Sequence, residues 1–170
     1  MGDIMKSRIL YLMLGLASIN LLSGCQSAPQ LVPEPAQETV SEASEEAMLK
    51  LLEEFAAAWN RHDLDALMSM MTDDCVFEAS GGDNINGERY EGQETVRASF
   101  AAVFERFPDA HWGGARHFVE GDRGVSEWTF TGTLNDGRRV EVNGCDLFTF
   151  RDGKIAIKNS FRKNRPPMEK

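Results

Sequence analysis

The sequence predicts an α+β domain in which helices come first and an antiparallel meander follows. Three observations carry this. Apolar residues between Ala47 and Phe107 recur at helical spacing in three stretches. From His111 onward the chain reads as runs of strand length. Turn signals divide those runs: Gly121-Asp122-Arg123-Gly124, Asn135-Asp136-Gly137 and Arg151-Asp152-Gly153. Helices followed by strands that pair with their neighbours in sequence give a curved sheet with helices on one face.

Each element has its own signal. Ala47, Met48, Leu51, Leu52, Phe55, Ala58 and Trp59 form an amphipathic helix ending near Arg61. Asp63 has the side chain of an N-cap for a shorter helix, Leu64 to Met71, which Asp73-Asp74 breaks. Cys75–Glu78 reads as a short strand, and Gly81-Gly82-Asp83-Asn84 and Gly87 as loop. Gln93 to Phe107 is a third helix, with Val96, Phe100, Val103, Phe104 and Phe107 on one face and Pro108 beyond it. The meander strands are His111–Glu120, Val125–Thr133, Arg138–Phe150 and Lys154–Arg162. Residues 164–170, with Pro166-Pro167, read as a frayed tail.

Before the domain lies a different kind of sequence. Lys6 and Arg8 precede an almost wholly apolar run, Ile9 to Leu22, which is short for a membrane span. Such a basic start, apolar run and small residues define an export signal, here residues 1–24. Leu22-Ser23-Gly24-Cys25 resembles the bacterial lipobox, which implies that Cys25 is lipidated and begins the mature chain. Gln26 after it, where an Asp would favour retention at the inner membrane, implies the periplasmic face of the outer membrane. Residues 25–46, with Pro29, Pro33 and Pro35, read as a disordered tether, and residues 47–163 as the domain.

Charge narrows the partners. The formal charge is −9, and losing residues 1–24, with one acid and two bases, makes it −10. A nucleic-acid partner would need a basic patch. An oxidising compartment permits a disulfide between Cys75 and Cys145; the alternative is two small buried thiols.

Three stretches carry a family resemblance: Phe55-Ala56-Ala57-Ala58-Trp59-Asn60-Arg61-His62-Asp63-Leu64-Asp65-Ala66-Leu67, Asp73-Asp74-Cys75-Val76-Phe77 with Tyr90-Glu91-Gly92-Gln93-Glu94, and Asp146-Leu147-Phe148-Thr149-Phe150-Arg151-Asp152-Gly153-Lys154-Ile155. In order and spacing the chain resembles the SnoaL-like branch of the nuclear transport factor 2-like superfamily, which includes ketosteroid isomerase. The resemblance implies a cone: a strongly curved mixed or antiparallel sheet with about three N-terminal helices enclosing a pocket. Members include enzymes and non-enzymatic binders, so the fold leaves function open. The isomerase uses a tyrosine, a base on the first strand and a second, protonated aspartate. Matched without gaps, those positions fall on Phe55, Ala79 and Asp146, so only the last role is kept. Glu78, beside the base position, should point away from the pocket.

The two C-terminal hairpins yield site residues without analogy. A three-residue loop Arg151-Asp152-Gly153 sets Phe148 opposite Ala156, Asp146 opposite Lys158, Gly144 opposite Ser160 and Val142 opposite Arg162. Asp146 and Lys158 become an ion pair, with Ser160, Arg162, Phe148 and Phe150 on the same face. A neighbouring lysine favours an ionised Asp146, which would serve as base or anchor. A solvent-exposed structural bridge is the alternative. A three-residue loop Asn135-Asp136-Gly137 sets Trp128 over Gly144 and Phe130 over Val142 on that face; a two-residue loop would flip them. Phe55 and Trp59 could close the pocket from the helix, or simply pack in the core. Leu147, Ile155, Ile157 and Phe161 fall on the other face, which is also apolar and which a second copy of the chain could cover.

His117 lies in a strand and could reach the pocket as acid or base. His62, His111 and His117 show no metal-ligand spacing, and no phosphate loop or nucleophile elbow is present, so no cofactor is expected. The expectation is a lipid-anchored domain holding a small polar or anionic molecule through Lys158, Arg162 and the aromatics. A cofactor-free lyase, isomerase or hydrolase using Asp146, and a structural protein of the envelope, are the alternatives.

Overall fold

The computed structural model describes residues 42–169, and only the backbone of residues 42 and 43. The expected export signal, Cys25 and most of the expected tether lie outside the described residues. In chain order the elements are α1 (Glu42–Asn60), α2 (Leu64–Ser69), β1 (Met71–Glu78), β2 (Arg89–Glu91), α3 (Gln93–Arg106), β3 (His111–Glu120), β4 (Arg123–Thr133), β5 (Arg139–Arg151) and β6 (Lys154–Arg162). The strands form one curved, open sheet in the order β2-β1-β6-β5-β4-β3. Every pair is antiparallel except β1 with β6, which run parallel. The α+β expectation with a mixed sheet therefore holds.

The helices cover the concave face because their apolar stripes point there. Leu52, Phe55, Ala58 and Trp59 on α1 are buried with Val96 and Phe100 on α3 and Phe77, Phe148, Phe150 and Ile155 on the strands. Burying a side chain of this size contributes roughly 1.5–3 kcal/mol. Polar clamps fix the helices on the sheet. The Asn60 carboxamide accepts from the Trp112 N–H at 2.8 Å and donates to its carbonyl at 3.0 Å, as a strand neighbour would. Asp63 caps α2, its carboxylate accepting from the Ala66 N–H. The Gln93 amide donates to the carbonyls of Met68, Met71 and Thr72, tying the start of α3 to the corner between α2 and β1. His62 stacks on Phe104 with ring centroids 4.2 Å apart.

Several expectations need correction. The helix begins at Glu42, inside the stretch assigned to the tether, and Glu45 accepts from the Gly121 N–H in the β3–β4 turn. Asp73-Asp74 do not end a helix; they lie within β1. There the pairing with β6 jumps from Met71–Ile155 to Val76–Ile157, so the acids sit in a bulged, exposed stretch. β2 went unseen, since three residues show no period. The last hairpin turns on two residues, Asp152-Gly153, rather than three, and Ala156 is extra between Phe150–Ile155 and Thr149–Ile157. Asp146 therefore faces Ser160, not Lys158. The bulge also turns Ile155 into the core, not to the outer face. Residues 164–169 do not fray: Met168 exchanges both main-chain hydrogen bonds with Arg139, and Arg165 reaches Glu141.

Candidate functional site

The concave face carries one polar row crossing four strands. His117 pairs with Ser126, Ser126 with Asp146, and Asp146 with Ser160. Lys158 lies one step along the same face of β6. The register shift of two residues, one from the shorter turn and one from Ala156, leaves side-chain parity unchanged, so Asp146 and Lys158 remain on one face and meet diagonally. Lys158 Nζ donates to Asp146 Oδ1 at 2.7 Å. Ser160 Oγ donates to the same oxygen and accepts from Lys158 at 2.6 Å. Trp128 Nε1 donates to Oδ2 at 2.9 Å. All three partners of Asp146 can donate, which suits an ionised, acceptor-only carboxylate and differs from the protonated aspartate of the isomerase.

Asp146 and Lys158 are only 6 % and 5 % exposed, so this is a buried ion pair, not a solvated bridge. Rings surround the ammonium: Lys158 Nζ lies 4.9 Å from the Phe77 centroid and 5.7 Å from that of Trp59. Glycine makes the tryptophan contact possible. A Cβ on Gly144 would lie 2.3 Å from the Trp128 ring and 2.4 Å from the Phe161 carbonyl oxygen. With no Cβ there, the indole lies across β5 and its N–H reaches Asp146.

His117 Nδ1 stands 2.7 Å from Ser126 Oγ. Burial holds its pKa below the ordinary histidine value, against a smaller upward pull from Glu53. Neutral His117 can accept from the Ser126 hydroxyl or donate to it, according to tautomer.

Above the row lies a cavity of about 500 Å³. It gathers every expected pocket residue: Phe55 and Trp59 from α1, His117 from β3, Trp128 and Phe130 from β4, Asp146 and Phe148 from β5, and Lys158, Ser160 and Arg162 from β6. Phe55 and Ala79 line it as the family match implied, while Glu78 points away to Arg89. Trp59 packs against Phe55, Phe100, Phe104 and Trp112. Its buried indole N–H has no partner. Four ring contacts, each worth roughly 0.5–1.5 kcal/mol, outweigh an unmet donor costing about 1–3 kcal/mol.

Sequence reasoning missed Ser126, Trp112, Phe77, Tyr90 and Arg106, which also line the cavity. Ser126 was within reach: the count that sets Trp128 over Gly144, confirmed here, also sets Ser126 opposite Asp146. Arg106, in the last turn of α3, gives no such signal. Lys158, expected as an anchor for an anion, is already committed to Asp146 and Ser160. Cys75 and Cys145 are free thiols, one buried in the core and the other partly exposed. Among the described residues no three His, Cys, Asp or Glu side chains gather as a metal would require.

The family described as SnoaL-like domain matches residues 52–157, which include most of the cavity lining but stop short of Lys158, Ser160 and Arg162. The chain belongs to the SnoaL-like family. Solved structures share its cone fold. A protein from Jannaschia sp. CCS1, assigned as a SnoaL-like polyketide cyclase, is 24% identical with a TM-score of 0.64, over 73% of this chain and 90% of its own. A protein of unknown function from Mesorhizobium loti, of the nuclear transport factor 2-like fold, is 23% identical with a TM-score of 0.62, over 74% and 98%. A Pseudomonas putida protein assigned as a polyketide cyclase is 18% identical with a TM-score of 0.59, over 69% and 90%. No curated protein matches the chain. Within this SnoaL-like domain, cavity and polar row are built from the chain's own residues.

Proposed function

We propose that the SnoaL-like domain binds a small molecule whose body is largely apolar and whose polar group meets the Asp146–Lys158–Ser160 network. The observation that carries this is a cavity of about 500 Å³, walled by rings, with a buried charged network at its floor. Ligand sites commonly enclose about 300–1,000 Å³, with apolar walls and a few convergent polar groups. All three tryptophans of the chain line the cavity, so their emission reports its occupation. Small aromatic compounds should shift that emission, and Asp146→Asn and Lys158→Met should each weaken the binding of those that carry a hydrogen-bonding group. Unchanged affinity in both variants would remove the network from the site.

A second reading has one observation behind it: Asp146 lies beside Ser126 and His117 on the cavity floor. A cofactor-free lyase, isomerase or hydrolase with Asp146 as acid or base would lose turnover in Asp146→Asn while retaining substrate binding. The cavity counts against a purely structural role.

Two further parts of this reading rest on the sequence and the sheet's outer face. Leu22-Ser23-Gly24-Cys25 supports a lipid anchor in the cell envelope, and export of Cys25→Ala in soluble form would bear that out. Phe118 and Phe161, each about half exposed, flank Val125 and Leu147 on the convex face and support a homodimer there. A monomeric mass by light scattering would contradict it.

A further inference from the structure

The cavity is unevenly charged. At its floor Asp146 and Lys158 neutralise one another. Its lining also includes two exposed arginines, Arg106 on α3 and Arg162 at the end of β6. A second cavity of about 230 Å³ shares Arg106, Phe107 and Arg162 with the first and adds Lys163 and Arg165. No Asp or Glu is among its lining residues. Arg165 alone of the four cations has an acid partner among the described residues, Glu141 at 3.2 Å. Arg106 lies 5.4 Å over the Phe107 ring, and the Lys163 main-chain N–H is held by the Asn143 carbonyl. The folded-back tail supplies the far wall, Asn164 to Pro167, pinned where Met168 and Arg139 exchange hydrogen bonds. All this sits in a chain of net charge −9, whose overall field repels anions. A cluster of four cations with one acid partner runs against that field.

We infer that the two cavities form one elongated site for an amphiphilic organic carboxylate. Its apolar body lies among the rings of the larger cavity with a neutral polar group toward the Asp146–Lys158–Ser160 network, and its carboxylate, a second polar group, lies outward between Arg106 and Arg162. This rests on the cavity-binding reading above and adds the class and direction of the ligand. Guanidinium groups suit the role, since their planar forks meet carboxylates through paired hydrogen bonds. Lys163 and Arg165 add charge behind them without touching the apolar body.

The test compares naphthoate with naphthamide, a probe of the same body without the charge, followed by tryptophan emission. Naphthoate should bind the intact domain about tenfold more tightly, the ratio that a gain of about 1.4 kcal/mol gives. The ratio should shrink as salt rises. It should fall to about one in the Arg106→Gln/Arg162→Gln double variant, and to about a third of its value in Lys163→Gln/Arg165→Gln. Equal affinity for both probes in the intact domain would overturn the inference while leaving the cavity reading standing. So would a tenfold ratio that survives in Arg106→Gln/Arg162→Gln. If neither probe binds, the cavity reading and this inference fall together.

Discussion

At the scale of single residues, the buried ion pair decides most. Lys158→Met leaves the Asp146 charge buried without its counter-ion, an outcome that typically costs about 3–5 kcal/mol. Replacing both, as Asp146→Leu with Lys158→Met, should cost much less, because the cost lies in the uncompensated charge. Denaturant unfolding of the single and double variants measures the difference. A loss below about 1 kcal/mol in Lys158→Met would mean that water reaches the pair. Gly144→Ala should cost about 1–3 kcal/mol, since its Cβ must displace the Trp128 ring and break the bond to Asp146. His117 gives a pH signature. Burial holds its folded pKa down, so the unfolded chain binds the extra proton first. Stability is then complete above the ordinary value of about 6.5 and falls as pH drops through it, until the folded form also titrates. His117→Gln should flatten that part of the stability profile. The ion pair, the Trp128–Gly144 contact and the aromatic wall were legible in the sequence, because alternation and turn length fix which side chains share a face. That Ser160 would stand opposite Asp146 and bond both members of the pair was not legible, since distance within a face depends on register.

At the scale of elements, the C-terminal hairpin shows how register was missed and parity kept. Its turn places Asp152 and Gly153 at positive φ, 53° and 71°, a pairing that a two-residue turn requires. The extra residue, Ala156, then offsets the shorter turn, so that Asp146, Phe148, Lys158 and Ser160 still share the concave face. No sequence signal marks Ala156, which is a small buried residue between two isoleucines. Gly153→Ala should destabilise the domain by about 1 kcal/mol or more, because alanine resists that backbone. A loss under a few tenths of a kcal/mol by thermal unfolding would show that the turn relaxes freely. Helix positions came through well, since α1 and α3 each bury a stripe of 3.6 period. β2 did not, because its three residues are placed by β1 and not by their own pattern.

At the scale of the molecule, the α+β class and the cone were legible from the order of elements, and the family match and solved folds agree with both. What the order of elements could not convey was where charge collects. Asn164 and Arg165 read as the start of a frayed tail, yet the chain returns along β5 and sets Arg165 with Arg162 and Lys163 beside the cavity. The central claim is that this SnoaL-like domain carries a small molecule in its cavity. Native mass spectrometry of the protein isolated from its own host tests that most directly. The expected result is a bound organic acid, released on denaturation and lost in Arg106→Gln/Arg162→Gln. A bare protein mass that is the same for wild type and variant would contradict it.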